Sequence, residues 1–241
     1  MSQGIPMANF ILLHGAASTG WLWHRVVPEL QQSGHSTAAP DLPAEDPTAD
    51  LHTYVEVARN AAAKFERQPV TVVAQSMAGF MAPVLATLRA VQRIVLVAPM
   101  IPLPHETGLR WWEATGQPAA QREYLEGLGY SAADANDPEI IFIHDVNDEL
   151  KAASLAHVTD QQAGPLLTPC PFATWPKVPT HVVAAESDRL FPLDFMVQQS
   201  KERLGITPDV IPGGHMAALS QAGALAELLV RYESSGDPTA A

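Results

Sequence analysis

The chain has 241 residues, 47% of them apolar and 17% charged, and 14 basic against 26 acidic side chains give a net charge of −12. A chain of this length hides roughly 70–75% of its extended surface without disulfide staples, so it reads as one large globular domain. Acidity with no cluster of Lys or Arg argues against nucleic acid and anionic membrane surfaces as partners, and no apolar stretch reaches the ~20 residues that cross a bilayer.

The single cysteine, Cys170, cannot form an internal disulfide, which favours a reducing compartment. The first apolar run spans only 8–13 with no Lys or Arg before it, so it does not read as a signal peptide. The expected location is the cytoplasm. Oligomeric state is open.

In chain order, "NFILLHG" (9–15) is a short buried strand ending at a glycine. "WLWHRVVPELQQSG" (21–34) reads as a helix stopped by Gly34, with Pro28 a mark against an unbroken one. "HSTAAPDL" (35–42) is a second strand candidate. Asp50 can cap a helix over 51–65, where Leu51, Tyr54, Val55, Ala58, Ala62 and Phe65 share one face. "VTVVAQ" (70–75) is a third strand and "MAGFMAPVLATL" (77–88) a buried helix. "RIVLVAP" (93–99) is a fourth strand. "THVVAAE" (180–186) is a fifth, followed by a helix over 195–205 ending at Gly205. "TPDVIPG" (207–213) is a sixth, and "ALAELLVRY" (224–232) a closing helix.

Strands and helices alternate, and the strands are solidly apolar. This predicts an α/β fold, a mostly parallel sheet covered by helices on both faces. Residues 100–178 break the alternation. They carry Trp111, Trp112, Tyr124, Tyr130, Phe142, Phe172 and Trp175, many prolines and helical patches such as "DELKAASLAHV". An insert this long with its own helices reads as a lid after the fourth strand. The expected organisation is a single domain, with a core of 8–99 and 179–233, a cap of 100–178 and a disordered tail of 234–241. The first six residues also read as disordered.

"AQSMAG" (74–79) stands where the third strand meets a helix. A sharp strand-to-helix turn leaves a side chain at its apex and brings neighbouring backbone close, so flanking residues must be small. Ala74, Ala78 and Gly79 meet that need, with alanines at both glycine positions of Gly-x-Ser-x-Gly. Small residues surround serines by chance in an Ala-rich chain, so the motif alone leaves Ser76 open between nucleophile and turn serine. A serine hydroxyl needs a base. "IPGGHMAAL" places His215 in a loop after the last strand, at the sheet edge where ligands bind in open parallel sheets. "AAESDRLFP" places Asp188 just past the fifth strand at that same edge, with Glu186 and Asp194 as competing carboxylates. A lone loop histidine or turn aspartate is commonplace. The order Ser76, Asp188, His215 on an alternating chain is not. For an oxyanion, the loop after His14-Gly15 can offer the Ala16 N–H and the helix start the Met77 N–H. His14 reads as a buried residue that bonds the loop.

At these residues the chain resembles the α/β-hydrolase family. The matching parts are "HGAASTGWLW", "DLPAEDP", "AQSMAGF", "ESDRLFP" and "GGHMAAL", spread over about 9–232. Within the family, the HG-A-x(4)-W loop and "GHMA" look like the branch of plant methylesterases, hydroxynitrile lyases and related bacterial esterases. Lyases of that branch carry a lysine after the catalytic histidine, and its esterases usually methionine. Met216 here implies an esterase, and the serine sets the chain apart from members with an aspartate nucleophile. The resemblance implies a small carboxylic ester or lactone as partner, with no metal and no organic cofactor. It leaves two alternatives, a carbon–carbon lyase and a ligand receptor with vestigial hydrolysis. Trp111, Trp112, Phe142, His144 and Met216 are the candidate pocket residues.

Overall fold

The computed structural model describes residues 7–234. Six strands form one sheet: β1 (Asn9–Leu13), β2 (Ser36–Ala38), β3 (Val70–Gln75), β4 (Val91–Val97), β5 (Thr180–Ala185) and β6 (Asp209–Ile211). Their order is β2-β1-β3-β4-β5-β6, and every pairing is parallel. Strand residues alternate between two cores. Ile11, Leu13, Val72, Ala74, Ile94, Leu96, Val182 and Ala184 face one. Phe10, Leu12, Val73, Val95, Val97, Val183 and Ala185 face the other. Both faces are therefore covered, which is why the strands read as continuous apolar runs.

On the first face lie α2 (Leu51–Ala61), α3 (Met81–Leu88) and α9 (Leu193–Leu204); α1 (Val26–Gln32) and α11 (Ala222–Ser234) cover the second. Asp50 caps α2, its carboxylate accepting from Thr53 N at 2.8 Å. The expected 51–65 face is buried in full, but the last turn, Ala62–Phe65, tightens to 3-10 geometry. The expected helix over 21–34 is two pieces, a 3-10 turn at Gly20–Trp23 and then α1. Pro28 falls in the first turn of α1, where no intrahelical N–H bond is lost. Strand β2 is shorter than 35–42, ending before Pro40.

Between β4 and β5 the chain forms α4 (Gly108–Thr115), α5 (Gln117–Gly127), α6 (Pro138–Ile141), α7 (Asp148–Leu155) and α8 (Gly164–Leu167), a helical insertion. Trp111, Cys170 and Phe172 join the first core, while Ile143 and Val146 join the second. The short α10 (Ala217–Ser220) follows β6. Of the tail expected to be disordered, Ser234 is the last residue of α11. The remainder, and the first six residues, lie outside the described residues. Among the described residues no helix is long and apolar enough to cross a membrane.

The chain leaves β1 for β2 on one side, and β3 returns to the other side of β1. That reversal opens a crevice beyond the carboxyl ends of β1 and β3, the place where open parallel sheets bind ligands.

Candidate active site

Strand β3 ends at Gln75, and the chain turns at once into a 3-10 turn, Ser76–Phe80, that leads into α3. Ser76 sits at the apex with φ +52°, a left-handed conformation that costs a residue with a Cβ about 1–2 kcal/mol. The turn is held from outside: Met100 N donates to Ser76 O at 3.0 Å. Two glycines let neighbouring chain approach. A Cβ at Gly79 would collide with the Met100 carbonyl oxygen; one at Gly15 would collide with Gln75 Oε1 and lie 2.8 Å from Ser76 Cβ. Because the Met100 carbonyl is backbone and cannot swing away, Gly79→Ala is expected to destabilise the fold by about 1–3 kcal/mol. Thermal or urea denaturation checks this, and an unchanged midpoint would contradict it.

His215 follows β6 through a loop held on both flanks. Gly213 O accepts from Ser187 N and Ser187 Oγ, each at 2.9 Å, and Gly214 N donates to Asp145 Oδ2 at 2.7 Å. The imidazole packs edge-on against Phe191 and Phe142. Its Nδ1 lies 2.8 Å from Asp188 Oδ2, with both side chains buried. The other carboxylate oxygen, Oδ1, accepts from Leu190 N at 2.8 Å and Phe191 N at 2.9 Å. An ionised carboxylate so placed only accepts, so Nδ1 carries a ring proton, and in the neutral ring Nε2 is the nitrogen with the free lone pair. The competing carboxylates Glu186 and Asp194 are exposed.

The loop after β1 is anchored by His14, fully buried. Its Nδ1 is 2.8 Å from Gly15 O, and its Nε2 accepts from Leu42 N at 2.9 Å, which fits only the neutral ring. Gly15 N donates to Gln75 Oε1 at 2.8 Å, and Gln75 Nε2 reaches His215 O at 3.4 Å. One glutamine thus ties the β1 loop, the serine turn and the histidine loop together. Burial pushes the His14 imidazole below its ordinary value, and does the same to His35 and to His144, where the Arg189 charge adds to it. As pH falls through about 6.5, the unfolded chain takes up these protons before the folded chain does, so stability rises with pH in this range. Melting temperature is therefore expected to drop between pH 7 and pH 5. A flat or opposite trend in thermal scans would contradict the neutral assignments.

Ala16, Ser76, Met77 and His215 share one cavity of about 360 Å³. Met77 occupies the second position of the 3-10 turn, where an N–H has no partner within the turn. Of the candidate pocket residues, Trp112, Phe142 and Met216 line this cavity and Trp111 and His144 do not. Trp111 is fully buried, donating Nε1–H to Ile101 O at 3.1 Å and packing on Trp112 and Phe191. His144 sits behind the site, where a Cβ on Gly214 would come within 2.6 Å of its Nε2.

The cavity also takes Trp21 from the β1 loop and Leu155, His157 and Val158 from the end of α7 and beyond. His157 stacks on Trp21 with centroids 4.4 Å apart. The tryptophan stood within the HG-A-x(4)-W stretch and could have been read from it; nothing local distinguishes His157 from the other histidines. Among the described residues, no Asp, Glu, Lys or Arg lines the cavity. Among the described residues, no group of three or more His, Cys, Asp and Glu is placed to hold a metal ion.

Solved structures with this fold include polyneuridine aldehyde esterase, 17% identical, with a TM-score of 0.77 over 94% of this chain and 99% of that one. A pyrethroid hydrolase from Sphingobium faniae JZ-2 is 20% identical, with a TM-score of 0.76 over 95% of this chain and 98% of the other. The methylesterase MES16 from Arabidopsis is 15% identical, with a TM-score of 0.71 over 94% and 98%. By sequence, norfluorocurarine synthase 1 from Strychnos is 32% identical over 87 residues, a match spanning 33% of this chain and 33% of that protein. The model of the alpha/beta hydrolase family matches residues 10–228, and with the sheet order, the helical insertion and the serine turn described above, the chain belongs to that family.

Proposed function

We propose that the protein is a serine hydrolase that cleaves an uncharged carboxylic ester or lactone through an acyl-enzyme. The observation that carries this reading is the buried His215–Asp188 pair, whose histidine lines the same cavity as Ser76. As Ser76 Oγ attacks the ester carbonyl, its proton passes to His215 Nε2, and Asp188 stabilises the imidazolium through Nδ1. The Ala16 and Met77 N–H groups hold the oxyanion. The carbon–oxygen bond to the alcohol breaks, and the leaving oxygen takes the proton from Nε2. Water, deprotonated by the same nitrogen, then attacks the acyl-enzyme; the acid departs and Ser76 regains its proton.

Proteins named as an esterase, a pyrethroid hydrolase and a methylesterase share the fold and support the ester assignment. Among the described residues no lysine lines the cavity, and Met216 follows His215, so a small anion such as cyanide would leave without a cation to hold it; this weighs against the lyase. We take residues 100–178 as a cap over a core of 8–99 and 179–233. We place the protein in the cytoplasm, supported by its lone free cysteine, Cys170.

The test is an ester panel varying acyl and alcohol separately, each compound paired with an isostere bearing a free carboxylate. Burying an unpaired charge costs several kcal/mol, so the neutral member is expected to win by about 10²-fold or more in kcat/KM. Equal rates within pairs would overturn the uncharged-substrate assignment. One acyl group bound per chain with no further turnover would make the protein a receptor instead.

A further inference from the structure

We propose that Gln161, in the segment between α7 and α8, is a positioning residue that holds the oxyanion loop in its working shape. This rests on the reading of Ser76 as nucleophile and of the Ala16 N–H as an oxyanion donor. Ala16 is flanked by two side-chain clamps. On the core side, Gly15 N donates to Gln75 Oε1 at 2.8 Å. On the cap side, Ala17 N donates to Gln161 Oε1 at 3.2 Å, and Thr159 N donates to Ala17 O at 3.3 Å. Thr159 Oγ1 also donates to Ser18 O at 3.3 Å. Both polar groups of the Ala17 backbone are thus taken by the insertion.

Ala17 needs that hold, because its φ is +53° in a residue with a Cβ. Left-handed alanine persists only where its surroundings over-determine it. Gln161 is itself fixed: its Nε2 donates to Tyr54 OH at 2.9 Å and Gln162 O at 2.8 Å. Tyr54 is fully buried on α2. The line Tyr54–Gln161–Ala17 therefore runs from rigid core, through the cap, to the loop that offers Ala16. Without the clamp, Ala17 relaxes towards negative φ and the Ala16 N–H loses its aim. Neither Gln161 nor Tyr54 lines the cavity, so neither touches substrate. Their effect belongs in the chemical step rather than in ground-state binding.

The experiment compares wild type, Gln161→Met, Tyr54→Phe and Ser76→Ala in the full chain. It uses a p-nitrophenyl ester as substrate and an aryl trifluoromethyl ketone as the probe that forms a tetrahedral oxyanion. In Gln161→Met, kcat should fall about 10- to 100-fold, short of the ~10²–10³ that removing a donor outright costs. KM should stay within about twofold, and ketone affinity should weaken in step with kcat. Tyr54→Phe should show a smaller loss of the same kind, and little further loss in the Gln161→Met background, because the two act through one chain of bonds. If Gln161→Met does not fold, Gln161→Asn, too short for both partners, reads the same split. A raised KM with unchanged kcat, or unchanged ketone affinity, while Ser76→Ala is inactive, overturns the positioning role alone. Full activity in Ser76→Ala overturns both that role and the reading beneath it.

Discussion

Ser76→Ala is expected to abolish ester hydrolysis, by about 10⁶-fold in kcat if this triad acts as a unit. The variant keeps the Ala16 and Met77 N–H groups proposed as oxyanion donors, and the cavity, so a residual rate above water is expected to survive. It should also stay folded: alanine at 76 keeps the turn's shape, and the Met100 N bond to the carbonyl at 76 is a backbone bond. The turn itself supplies a second readout. Because φ at 76 is +52°, Ser76→Gly removes the Cβ penalty and should exceed Ser76→Ala in stability by about 1 kcal/mol. Purified variants, assayed on the best ester and melted in parallel, check both results. Unchanged hydrolysis in folded Ser76→Ala would end the nucleophile assignment.

Asp188→Asn is expected to fold and to lose activity by up to ~10⁴-fold. Asp188 has both oxygens committed, Oδ2 to His215 Nδ1 and Oδ1 to the backbone N–H groups of Leu190 and Phe191. An amide can satisfy only one side. If its oxygen keeps the two N–H bonds, its NH₂ faces Nδ1 and turns the ring to the tautomer with Nε2–H, which cannot accept the Ser76 proton. If the amide flips, two buried N–H groups lose their acceptor, at about 1–3 kcal/mol each. Glu186→Gln is the control, and with its exposed side chain it should be nearly silent. A silent Asp188→Asn beside a crippled Glu186→Gln would reverse the choice of acid.

The elements were legible in the sequence where local physics governs them. Six apolar runs separated by helical periods correspond to six strands, and Asp50 marks the start of α2 because an N-cap is a local bond. Strand ends were less legible, since pairing partners decide them. The run over 35–42 is a strand only at Ser36–Ala38, the part that lies beside Asn9–Ile11 of β1. Trp111 and Trp112 look alike in sequence, but one helical step separates a ring buried in the core from a ring on the cavity wall. His144 was a pocket candidate because it stands next to Asp145 in the insert; it does not line the cavity, and its ring lies against Gly214.

By itself, the sequence determined the alternating class of the fold, the serine at a tight strand-to-helix turn and the chain order of Ser76, Asp188 and His215, because apolar periodicity and small-residue spacing act over a few neighbours along the chain. Tertiary structure alone decided that Asp188 and His215 touch, how Gln75 joins three loops, that His157 lines the cavity with Ser76, and that Gln161 clamps the loop at Ala17. Those contacts join residues up to 144 positions apart. They form only when parallel pairing brings the strand ends to one edge and the insertion folds back over it, and no local preference encodes that return.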